Sequence, residues 1–179
     1  MNNLVIFGHP NLDHSMINSA WLKHLQNKND KNTTIHVLCK AMKDGKFDVD
    51  AERKLILQHK KILVVYPFYW YNHPSFLQRW LEEVWSDKDL AFVESLRKVE
   101  DKQLMIAVTA AAEQARFNIS NTGYFPFDFH ISSWAAMANY IGYKFLPSYS
   151  IFEVYSKTPQ QHLQACDEMW NQFLTAKIR

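Results

Sequence analysis

Short apolar runs alternate with helical apolar stripes along the chain, and that alternation leaves few folds open. The run Ile62-Leu63-Val64-Val65-Tyr66 has no polar residue on either face, so it reads as a strand covered on both sides. Asn3–Phe7 and Gln103–Thr109 read as strands too, residues 33–39 alternate with Ile35 and Val37 in phase, and 144–154 supply a fifth strand. Between them lie helical patterns. Ile17, Trp21 and Leu25 make one face of a helix over 15–26, and a short helix over 50–58 has Asp48 or Asp50 at its start. Pro74 suits the first position of a helix carrying Leu77, Trp80 or Leu81, and Val84. Asp128 is placed to cap a helix with Ile131, Trp134, Ala135, Ala138 and Ile141 on one side, stopped near Gly142. The last helix opens on a capping box of Thr158, Pro159 and Gln161, with Leu163, Cys166, Met169 or Trp170, and Phe173 facing inward. Residues 86–101 carry no clear pattern, and 110–127 read as a long irregular segment.

Parallel strands need crossover connections, so five strands with helices between them mean an α/β protein with a parallel sheet covered on both faces. This is the element count of a flavodoxin-like fold, with strand order 2-1-3-4-5. A length of 179 residues without a Pro/Gly-rich linker points to a single domain over 1–179. A net charge of +2 is too mild for a nucleic-acid partner, and two cysteines, Cys39 and Cys166, give no zinc spacing and suggest a reducing compartment. No metal site is expected. The longest apolar run contains Pro67 and is too short to enter a bilayer as a span, and the segment after Met1 is too short for a signal peptide. The expected location is cytoplasmic.

Aromatic residues at 15% exceed what a core of this size needs, and favour a ligand platform or a subunit interface. Several stand together in Pro67-Phe68-Tyr69-Trp70-Tyr71, directly after the third strand. Two other strands deliver loops to the same sheet end. Gly8-His9-Pro10 leads into Ser15, Met16, Ile17 and Asn18 at a helix N-terminus, where backbone amides favour a phosphate. Thr109, Ala110, Ala111 and Ala112 follow the fourth strand and let a ligand approach the backbone. Each segment has a plain alternative as a cap, an apolar interface or a helix start. Together they fall at the switch point of the sheet and describe a crevice suited to a flavin mononucleotide. No Walker A loop, Rossmann glycine triplet or Ser/His/Asp triad is present by spacing, and His14 and His73 read as capping or solvent-facing groups.

Gly8-His9-Pro10 with Ser15 and Asn18, and Pro67 to Tyr71 with Pro74 and Trp80, resemble the flavodoxin-like NAD(P)H:quinone oxidoreductases. That family includes the general-stress type and the ancillary subunits of glutathione-gated potassium efflux systems; Tyr140-Ile141-Gly142 matches a late position of it. The resemblance implies FMN, or FAD as the alternative, with NAD(P)H as co-substrate, a quinone as acceptor, a ping-pong two-electron hydride transfer and a homodimer. It puts His9, Ser15, Met16, Ile17 and Asn18 on the phosphate and ribityl end, Pro67, Phe68, Tyr69, Trp70 and Tyr71 along the ring, and Thr109 to Ala112 on the remaining wall. Three departures stand out. Ala110, Ala111 and Ala112 replace a Thr-Gly-Gly, which implies backbone strain if a lost glycine held positive φ. The family's assisting Tyr and His fall on Phe117 and Gly123, leaving Tyr124 and His130 as the candidate catalytic residues. These losses motivate a second reading, a flavin-binding ancillary subunit with little turnover that docks on a potassium efflux transporter. A one-electron carrier is a weaker third.

Overall fold

A computed structural model describes residues 2–85, 88–118 and 125–176. Strands β1 (Asn3–Phe7), β2 (Thr33–Val37), β3 (Lys61–Pro67) and β4 (Gln103–Thr109) lie parallel in the order β2-β1-β3-β4. The expected fifth strand is broken in two: β5 (Lys144–Phe145) pairs with the start of β4 and β6 (Tyr149–Ile151) with its end. Pro147 lies in the gap; it has no N–H to give the ladder, so pairing stops and resumes two residues later. The sheet is thus six-stranded in a flavodoxin-like arrangement.

Every residue of β1 and β3 is buried, and alternate side chains feed two cores. Val5, Phe7, Leu63, Val65, Met105 and Ala107 pack under α1 (Met16–Lys28) and the C-terminal helix, here α7 (Pro159–Thr175). Leu4, Ile6, Ile62, Val64, Leu104 and Ile106 face the other helices: α2 (Leu38–Ala41), α3 (Val49–Leu57), α4 (Ser75–Val84), α5 (Leu90–Arg97) and α6 (Phe127–Tyr140). Burying each of these side chains stabilises by about 1.5–3 kcal/mol, so neither face can be turned to water.

The helices depart from expectation in small ways with visible causes. β2 ends at Val37 because the buried Leu38 starts the short α2. Asp48 is the cap of α3, its side chain accepting from the Ala51 N–H at 3.1 Å. Pro74 sits one place before α4, and its carbonyl accepts from Leu77 and Gln78. Pro126 precedes α6, and Asp128 lies within the first turn without capping it. The capping box of α7 is formed as expected, but its buried stripe runs through His162, Ala165, Cys166, Met169, Trp170 and Phe173, leaving Leu163 37% exposed. α5 had no sequence signature; Asp89 caps it and Phe92, Val93 and Leu96 anchor it.

Candidate functional site

β1, β3 and β4 end together, and their loops are tied to one another by hydrogen bonds. The Gly8 N–H donates to the Val65 carbonyl at 2.8 Å, carrying the β1 ladder past the strand. A Cβ on Gly8 would come within 2.7 Å of a Leu77 methyl, so α4 packs there only because the side chain is absent. His9 is buried, its Nδ1 accepts the Asn11 N–H at 3.0 Å, and desolvation lowers its pKa below the ordinary histidine value. Ser15 caps α1, its hydroxyl accepting the Asn18 N–H at 3.1 Å. Met16 and Ile17 fall in the first turn of α1, where amides have no intrahelical acceptor. The Asn18 amide donates to Ser15 Oγ at 3.3 Å and, across 91 residues of sequence, to Thr109 Oγ1 at 3.1 Å. Asn18 is 2% exposed and its Oδ1 has no partner among the described residues. A buried unpaired acceptor of this kind costs on the order of 1–3 kcal/mol unless a donor arrives.

The aromatic loop is a tight hairpin turn. Phe68 N–H donates to the Thr109 carbonyl at 2.8 Å, and Tyr69 and Asn72 exchange two backbone hydrogen bonds at 2.8 and 3.0 Å. The two residues between them, Trp70 and Tyr71, both hold positive φ, 48° and 67°. Such turns prefer Asn and Gly, and each bulky residue in that region costs about 1 kcal/mol or more. Strain kept in an exposed loop points to use rather than stability. Phe68 is half-buried against Phe117, Phe127 and His130, whereas Trp70 is 93% exposed and stands at the rim. Replacing Trp70 with asparagine, which tolerates this conformation, is therefore expected to raise the melting temperature by about 2–4 °C. The same variant should bind a planar ligand more weakly; a fall in melting temperature would count against stored strain.

The third wall is not strained. None of Ala110, Ala111 and Ala112 has positive φ, so alanine is accommodated where strain had been expected. Ala110 N–H donates to Ile151 and receives no help from a helix, since the segment continues into a single turn at Gln114–Arg116. A recess of about 210 Å³ opens between this wall and the aromatic loop, lined by Phe68, Trp70, Tyr71, Ala111, Ala112 and Phe117, with Arg116 beside them. His130 packs against Tyr71, Phe68 and Phe117 with ring centroids 5.6–5.9 Å away, and its buried Nε2 has no partner among the described residues. Gly123 and Tyr124, singled out in the sequence, lie outside the described residues. A larger groove of about 470 Å³ runs between α4 and α6, but none of the predicted site residues among those described lines it.

One neighbouring residue had no sequence signal. Tyr155, in the turn Val154–Ser156 after β6, is 78% exposed; burial first, and the Tyr155 hydroxyl second, raise the pKa of Tyr69. The turn lies beside the Ala110–Ala112 segment only because β6 pairs with β4, which no local pattern reveals.

The sequence profile of the family described as having a flavodoxin-like fold matches residues 1–174. The uncharacterized NAD(P)H oxidoreductase YrkL of Bacillus subtilis is 31% identical over 150 residues, 84% of each chain. The potassium-efflux ancillary protein KefG of Pectobacterium carotovorum is 32% identical, but over 46% of this chain and 44% of its own. Among solved structures, general stress protein 14 of Treponema denticola, in complex with FMN, is 23% identical with a TM-score of 0.81, covering 97% of this chain and 98% of its own. An NADPH-quinone reductase from P. pentosaceus is 23% identical with a TM-score of 0.79 and covers 98% of both chains. Among the described residues no helix is long and apolar enough to cross a membrane. With strand order, loop placement and the match over nearly the whole chain in agreement, this protein belongs to the flavodoxin-like fold family.

Proposed function

We propose that this protein is a cytoplasmic NAD(P)H oxidoreductase that holds FMN at the three-loop crevice and passes two electrons to a quinone-class acceptor. The bond between Asn18 and Thr109, with the unpaired Asn18 Oδ1 beside it, is the observation that carries this reading. That oxygen is a buried acceptor in need of a donor, which a ribityl hydroxyl supplies and a phosphate does not. The amides of Met16 and Ile17 and the Ser15 hydroxyl suit the phosphate, and the recess between Phe68, Tyr71 and the small Ala111 and Ala112 suits a flat ring. The names of relatives favour the same chemistry: an NAD(P)H oxidoreductase and an NADPH-quinone reductase match most of the chain, whereas KefG matches less than half. The docking role is accordingly set aside.

When bound, the flavin supplies the redox chemistry, a ping-pong transfer from NAD(P)H to the acceptor; the chain supplies binding, orientation and exclusion of water. His130, beside the recess, is the candidate to hold the accompanying proton; Phe117 has no group to donate. We read residues 1–179 as one domain acting as a homodimer. The exposed rings of Trp70, Phe125 and Phe129, the last two stacked 4.5 Å apart, form an apolar ridge that a second copy would cover.

Purified protein is expected to be yellow or to become so with FMN, to elute at twice the chain mass, and to bleach under NADPH without oxygen. Colour should return with a quinone, more slowly in a His130→Phe variant that still takes up FMN. Protein that stays colourless after incubation with FMN and FAD would sink the proposal, and FAD uptake in preference to FMN would change the cofactor.

A further inference from the structure

The recess beside the aromatic loop is graded from a closed floor to an open mouth. Phe117 is buried and Phe68 half-buried, and both rings pack on Phe127, at 5.1 and 4.9 Å. Phe117 also meets His130 and Phe152 at 5.7 Å, so the floor is aromatic and fixed. Trp70, Tyr71 and Arg116 line the same recess and are all exposed, which puts them at its mouth. Arg116 is held there by its neighbour. It ends the single turn Gln114–Arg116, whose backbone closes with Arg116 N–H on the Glu113 carbonyl and Phe117 N–H on the Gln114 carbonyl, both at 3.1 Å. The anchored Phe117 ring therefore fixes where the preceding residue stands.

Among the described residues that line the recess, Arg116 alone carries a charge; the acidic Glu113 and Glu153 are not among its walls. A guanidinium is always charged, and its five N–H donors form a planar fork that matches a carboxylate or sulfonate while other donors stay engaged elsewhere. Beside aromatic walls its field is screened less than in open water. A volume of about 210 Å³ is filled by one flat ring system. Under the flavin reading that ring is the cofactor's, against the small Ala111 and Ala112. The next ring to enter stacks at the mouth, beside Trp70 and Arg116. The nicotinamide of NAD(P)H carries a neutral carboxamide there and leaves the cation unmatched.

We propose that Trp70 and Arg116 select, as electron acceptor, a planar quinone that carries an ionised carboxylate, sulfonate or enolate on its ring. This rests on the flavin reading above and narrows its acceptor class. Trp70 offers a face for stacking, and the positive φ of its turn keeps that face turned out to solvent. Arg116 offers the charge, so the two contributions are separable by substitution.

Titration of the FMN-loaded protein with naphthoate and with its neutral counterpart naphthamide, followed through the flavin absorbance, tests the pair. Neither ligand accepts electrons, so the difference between them reads charge alone. Wild type is expected to bind naphthoate about 10-fold more tightly, and high salt should shrink that preference. Arg116→Met should abolish the preference, Arg116→Lys should keep part of it, and Trp70→Ala should weaken both ligands alike. In turnover, KM for naphthoquinone sulfonate should rise about 10-fold in Arg116→Met with kcat within about 2-fold. Bound FMN in the Arg116→Met protein reports that it is folded. FMN-loaded wild type that binds the two ligands equally, or a preference that survives in Arg116→Met, overturns the proposal and leaves the flavin reading standing. An Arg116→Met protein that keeps the preference while its FMN midpoint potential falls would assign the cation to the cofactor instead. A wild type that takes up no flavin overturns both readings.

Discussion

Replacing Glu52 with alanine is expected to lower the free energy of unfolding by about 3 kcal/mol or more, and the melting temperature by roughly 6–12 °C. Glu52 is 5% exposed on α3, where both of its oxygens lie 2.9 Å from His36 Nε2 on β2. One of them also accepts the Trp80 indole N–H of α4 at 2.9 Å. A single side chain thus joins a strand and two helices on one face of the sheet. Its removal leaves the buried Trp80 indole and the half-buried His36 ring without their partner, as well as a cavity, and the desolvation cost of an unpaired group exceeds the gain from forming the bond. The next residue, Arg53, extends the link: its Nε donates to the Val84 carbonyl at 3.0 Å, and its guanidinium pairs with Asp89 and lies over Phe92 at 4.5 Å. The loss should therefore spread to α4 and α5. Glu52→Gln retains an acceptor for Trp80 and an amide group facing His36, so about 1 kcal/mol is expected there. Thermal unfolding of both variants is the check, and a Glu52→Ala protein melting within about 2 °C of wild type would show the network to be dispensable.

Neither Glu52 nor its network is visible in the sequence, and the reason separates what could be read from what could not. β1 and β4 were legible to the residue because buried strands leave continuous apolar runs with polar ends, a signal local to five or seven residues. The three loops were legible because each directly follows such a run. The remainder depends on contacts distant along the chain. Glu52 stands in a helix start among other charges and reads as solvated until β2 and α4 are placed around it. Tyr155 looks like an exposed loop residue until β6 is set beside β4. Trp70 and Tyr71 were singled out as candidate site residues from their type, but nothing in an aromatic run announces a turn with two positive φ angles. The short α5 holds three buried residues in eight, too few for a period to emerge from charged surroundings. The split of β5 from β6 was within reach, since Pro147 was in plain view inside the proposed strand.

Lys102→Met is expected to do the reverse of Glu52→Ala and stabilise the protein by about 2 kcal/mol at pH 7. Two lysines are buried at the base of the sheet, opposite the crevice. Lys61, at the start of β3, donates from its ammonium to the carbonyls of Leu174 and Ala176 at 3.3 and 3.5 Å and so closes the end of α7. Lys102, 1% exposed before β4, has no hydrogen-bond partner among the described residues, and the Tyr143 ring 5.3 Å away is its compensation. Burial lowers its pKa from 10.5 to about 8. Between those values the unfolded chain holds more protons than the folded one, so unfolding free energy rises with pH across that window. Below pH 8 both states are protonated and the penalty stands in full, about 3 kcal/mol at 1.4 kcal/mol per pKa unit. Methionine keeps the apolar stem and removes the charge, with loss of the cation–π contact trimming the gain. Unfolding measured from pH 7 to pH 10 should therefore show the variant ahead at neutral pH and the wild type catching up as the medium turns alkaline. A difference that stays constant over that range would mean the Lys102 ammonium is hydrated or paired, and the buried-charge account of this corner would fail.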